Sequence, residues 1–79
     1  MITARELYED LKNNVFYDLE KAYTYIHKKY NIKPKKELKL ADGLYVDTYE
    51  LTDGNVEITG FNSDKRHLKV KCHYVLVKP

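Results

Sequence analysis

The sequence predicts an α+β domain: a long N-terminal helix packed on one face of a four-stranded antiparallel meander, strand order 1-2-3-4. Three observations carry this reading. Apolar residues recur at helical spacing from Ala4 to Tyr30; the period switches to two after Pro34; and two Asp-Gly turns divide the second half into strands that share one apolar face. The whole of residues 1–79 forms a single domain, with no internal repeat, low-complexity tract or linker.

The helix comes first. Ala4, Tyr8, Leu11, Val15, Leu19, Ala22, Ile26 and Tyr30 fall within about 60° of one line at 100° per residue. Leu7, Phe16, Tyr23 and Tyr25 widen the stripe, and Glu6, Asp10, Asn13, Glu20, Lys21, Thr24, His27 and Lys28 occupy the other side. Thr3 and Glu6 fit a capping box, with Ile2 and Leu7 at the staple positions. Lys28 and Lys29 suit the negative end of the helix dipole, Asn31 tolerates a left-handed residue, and Pro34 prevents continuation. One continuous helix from Thr3 to Asn31 is expected, roughly 40 Å long. Its weakest point by propensity is Asn13-Asn14, where a bend is admissible.

The strands follow. Leu38 and Leu40 alternate with charged residues before Asp42-Gly43; strand two runs about 44–51, strand three about 55–61 after Asp53-Gly54, and strand four about 66–77. Two-residue loops at both Asp-Gly pairs place Leu40 opposite Tyr45, Leu38 opposite Asp47, Leu51 opposite Val56 and Tyr49 opposite Ile58. All the apolar members then share one face, and a one-residue slip would invert a strand. Leu68, Val70, Cys72, Tyr74 and Leu76 join that core if the third loop has an odd number of residues; the alternative buries Lys69 and Lys71.

Composition bounds the function. A domain of 79 residues is small enough that a partner subunit is a plausible support. Cys72 is the only cysteine, which excludes an internal disulfide and suits a reducing compartment. Neither a signal peptide nor a membrane span is legible, so a cytoplasmic protein is expected. The net charge of +2 is unevenly placed: residues 21–41 carry seven lysines against Glu37, residues 42–61 five acids and no base.

Catalytic, cofactor and metal sites are not expected. Cys72 and His73 are neighbours on a strand and point to opposite faces, and no ligand pair has zinc spacing. Asp47 is the one anomaly, a carboxylate on the core face between Tyr45 and Tyr49, where burial would raise its pKa. What remains is surface. Leu44, Val46 and Phe61 fall on the outer sheet face, with Val46 opposite Phe61; Val75 and Val77 make the end of strand four an apolar edge; and Tyr17 projects from the polar side of the helix. Such surfaces invite a second chain. The expected function is a non-catalytic protein-interaction module, a homodimer or an adaptor or inhibitor of a larger protein. The alternative is weak nucleic-acid binding through Lys65, Arg66, Lys69 and Lys71 and the Lys33–Lys39 segment.

Overall fold

The computed structural model describes residues 2–14, 16, 19–61 and 69–74, with side chains as far as Gly60. Two helices, α1 (Ala4–Lys12) and α2 (Leu19–Tyr30), pack on an antiparallel sheet of β1 (Lys36–Ala41), β2 (Leu44–Leu51) and β3 (Gly54–Phe61) in that order.

The single long helix is therefore corrected to two. The start of α1 is as expected: the Glu6 amide donates to Thr3 Oγ1 at 3.1 Å and the Thr3 amide donates to Glu6 Oε1 at 3.2 Å, a complete capping box. It ends at Asn13, and the Asn14 side-chain amide donates to the Asp10 carbonyl at 2.6 Å and to Asp10 Oδ1 at 3.0 Å. Asparagine side chains compete in this way for the carbonyls a helix needs to continue. The break lets the chain fold α2 back on α1. Asp10 accepts hydrogen bonds from Tyr25 at 2.7 Å, from Lys29 at 3.0 Å and from Tyr30. In an unbroken helix Tyr25 would lie about 22 Å farther along the axis than Asp10. The end of α2 matches expectation, with Asn31 at φ 56° and its amide donating to the His27 carbonyl at 2.9 Å.

The first hairpin corrects the expected register. Ala41 pairs with Leu44 across Asp42-Gly43, with Gly43 at φ 76°, but a bulge between Lys39 and Ala41 shifts the rest of β1 by one residue. Lys39 then pairs with Tyr45, Leu38 with Val46, and Glu37 with Asp47. Leu38 and Leu40, expected in the core, stand 51% and 53% exposed. The helices lie over β3, away from β1, so turning Leu38 inward there would bury little. All of β1 is exposed.

The second hairpin turns at Thr52-Asp53 rather than Asp53-Gly54, with Leu51 paired to Gly54. This frees Asp53 Oδ1 to accept from the Ala4 amide at 2.6 Å, a carboxylate placed on the positive end of α1. The register moves by two residues, which preserves the faces but changes partners: Tyr49 lies opposite Val56, Asp47 opposite Ile58, Val46 opposite Thr59 instead of Phe61, and Leu44 opposite Phe61.

The core joins both helices to the inner sheet face. Leu7, Leu11 and Ile26 meet Tyr49, Val56 and Ile58, all buried, with Ala4, Leu19 and Ala22 completing the cluster. Each fully buried large aliphatic contributes about 1.5–3 kcal/mol by leaving water. The helical stripe read from spacing is the buried side of both helices, although they are separate.

Candidate functional site

Among the described residues two surfaces lie beside the core, one on each face of the sheet. On the outer face, the bulge brings Leu38 and Leu40 beside the half-buried Leu44 and Val46. A groove of about 410 Å³ includes Leu38, Leu40 and Val46. Lys35 and Lys36 line its β1 side, and Glu50 and Glu57 its far side. The register gives the order: Lys36, Thr48 and Glu57 form one row across the sheet, and Leu38, Val46 and Thr59 form the next. The face is thus apolar toward the Asp42-Gly43 turn and charged at the other end, basic on β1 and acidic on β3.

On the inner face, α2 leaves the β1 side of the sheet open. A cleft of about 410 Å³ lies between Leu19, Glu20 and Tyr23 of α2 and the inner residues of β1 and β2. Glu37, Lys39, Tyr45 and Asp47 form its sheet wall. The Tyr23 ring stacks on His27, centroids 5.8 Å apart and planes 10° off parallel. Asp47 is 8% exposed, the one buried charged residue among those described. It sits between Tyr45 and Tyr49 as expected, but opposite Glu37 rather than Leu38.

Burial, reinforced by the nearby Glu37 charge, pushes the Asp47 carboxyl up to about 6. Burial also raises the Tyr49 hydroxyl, with Asp47, Tyr23 and Glu37 adding to the effect. That hydroxyl is fully buried and has no hydrogen-bond partner among the described residues. A carboxyl raised in the folded state holds its proton there more tightly than in the unfolded chain, so stability falls as pH rises from about 4 to 6. The loss reaches at most about 3 kcal/mol. Asp47→Asn is accordingly expected to stabilise the protein by about 2 kcal/mol at pH 8 and to flatten this slope in urea titrations. A destabilised variant would show that Asp47 is internally compensated.

The expected site residues divide. Leu44 and Val46 are on the outer face, and the backbone register puts Phe61 there beside Leu44. Tyr17, Val75, Val77, Lys65 and Arg66 lie outside the described residues, and Lys69 and Lys71 are described in backbone alone. Leu38, Leu40 and Glu37 were missed because the bulge between Lys39 and Ala41 carries no glycine to announce it. Among the described residues no three His, Cys, Asp or Glu side chains converge as a metal site, and no helix is long and apolar enough to cross a membrane. Compared with protein families, curated proteins and solved structures, the chain matches none.

Proposed function

We propose that this chain is a small non-catalytic protein-interaction module that binds through the outer face of its sheet, with a second copy as partner. The observation that carries the reading is the exposure of Leu38 and Leu40 beside Val46 and Leu44. Contiguous apolar side chains on a solvated sheet face favour burial against another chain. The apolar end of the face favours a copy of the same chain: a two-fold axis running along β2 in the plane of the interface sets Val46 against Val46 and closes the apolar end of each face on the other. Such an interface is isologous and self-complementary.

We also infer a fourth strand, Lys69–Tyr74, antiparallel to β3. The pairing of Val56 with Cys72 and Ile58 with Val70 supports it, and this is the parity expected for the apolar row. The strand-four edge would then be a second place for a partner strand. The lone Cys72 suits a reducing compartment such as the cytoplasm.

Sedimentation velocity across a concentration series tests the reading. A monomer–dimer equilibrium is expected, weakened by Phe61→Glu with the far-UV helix signal intact. A monomer at every concentration, or a dimer indifferent to Phe61→Glu, would remove it.

A further inference from the structure

We propose that the inner cleft is a receptor for a primary alkylammonium group, held by Asp47 and Glu37 against the rings of Tyr23 and Tyr45. The site lies on the opposite face of the sheet from the proposed dimer surface and stands independently of it.

Three observations point to a cation. Asp47, more than nine-tenths buried, lines the cleft, and among the described residues no donor reaches its carboxylate. The one basic side chain in the wall, Lys39, lies 3.7 Å from Asp42, where it serves the turn. The Tyr49 side chain is 1% exposed, and its unpartnered hydroxyl is influenced by Asp47, Tyr23 and Glu37, all three of which line the cleft. Buried polar groups without partners are costly, and here the Tyr49 hydroxyl and the Asp47 carboxylate, neither with a donor among the described residues, lie next to the exposed carboxylate of Glu37.

The chemistry selects among cations. Among the described residues no three His, Cys, Asp or Glu side chains converge, as a metal ion with several ligands within about 2.5 Å requires. A guanidinium fork matches the two oxygens of a single carboxylate, whereas Asp47 and Glu37 stand opposite one another on two strands and present acceptors from separate directions. An ammonium presents three donors from one point, and tyrosine rings beside it add cation–π attraction. A slender methylene stem has the apolar side of Leu19 in the cleft wall to lie against.

Such a group comes from a free diamine or from a lysine side chain of another protein. Two probes distinguish these sources: cadaverine, and Nα-acetyl-lysine N-methylamide. Titration of the 79-residue chain with each, followed by amide and tyrosine NMR shifts, should give saturable changes at Tyr23, Glu37, Tyr45 and Asp47. Millimolar dissociation constants are the expected range for one ammonium. Asp47→Asn and Glu37→Gln should each weaken binding about tenfold. Binding should also weaken between pH 7 and pH 5 as Asp47 takes up its proton; the charged and titratable groups facing it are Glu37 and Lys39 of β1, Glu20 and Tyr23 of α2, and Tyr45 and Tyr49 of β2. Saturation by cadaverine alone assigns a free diamine, and saturation by the lysine derivative assigns a protein side chain. Absence of saturable shifts with both probes overturns the proposal, as does an affinity unchanged in both variants. Glu37 is exposed, so Glu37→Gln keeps the test decisive should Asp47→Asn fold poorly.

Discussion

Asp10→Ala is expected to lower the unfolding free energy by about 3 kcal/mol, the largest single stability effect argued for this chain. The Asp10 side chain is 15% exposed and receives Tyr25, Lys29 and Tyr30 from α2 as well as Asn14 from the chain just beyond α1. It is the polar link that holds the two helices together where their continuity fails. Removing it leaves two partly buried tyrosine hydroxyls without their acceptor, and hydrogen bonds to a charged group are each worth about 1.5–3 kcal/mol. The Lys29 contribution is small, because that side chain is 51% exposed. Urea unfolding monitored by circular dichroism measures the effect, and a loss below about 0.5 kcal/mol would mean that the apolar contacts alone align the helices.

The same residue sets an acid limit. Partial burial pushes the Asp10 carboxyl up, but hydrogen bonds from Tyr30, Tyr25 and Lys29, with the Lys29 charge, outweigh it and hold the pKa below the ordinary value. A depressed carboxyl contributes stability that is complete above the unfolded carboxylate pKa of about 4 and is lost as pH falls through the folded value. Asp47 acts in the opposite direction, lowering stability as pH rises toward its pKa of about 6. The two together place the stability maximum near pH 4, since the Asp10 contribution is lost below about 4 and Asp47 lowers stability from about 4 upward. Asp10→Ala should erase the acid limb and leave the other.

Leu38→Glu combined with Leu40→Glu is expected to weaken self-association at least ~100-fold, some 2.7 kcal/mol. Each change places a carboxylate in the apolar part of the proposed interface, where an unpaired charge must lose its water. The two-fold arrangement repeats that cost on both protomers. Both leucines are about half exposed in the single chain, so its stability should change by less than about 0.5 kcal/mol per site. Sedimentation equilibrium provides the first measurement and urea unfolding the second. Undiminished association would place the contact elsewhere, with the inferred fourth strand as the remaining candidate.

Much of this was legible residue by residue. The capping box at Thr3 and Glu6, the stop at Asn31, the turn at Asp42-Gly43 and the inward position of Asp47 each depend on contacts between near neighbours or on strand alternation, which sequence records directly. The outer placement of Leu44 and Val46 followed from the same alternation. The paired helices, the bulge and the second turn did not. Nothing in the order of residues states that Asp10 would find Tyr25 and Tyr30, since that depends on where α2 comes to rest. Asp53 left its expected turn position to cap Ala4, a residue far away in the chain.

The sequence by itself determined which side of each element is apolar, because that is a matter of spacing. Tertiary structure alone decided how those sides are used. The helices settled over β3 and left β1 uncovered, so no core remained to hold Leu38 inward. The bulge then turned Leu38 toward Val46 and set Glu37 against Asp47. An apolar face and an acidic cleft therefore arose from one local shift, since moving a strand by one residue exchanges its two sides.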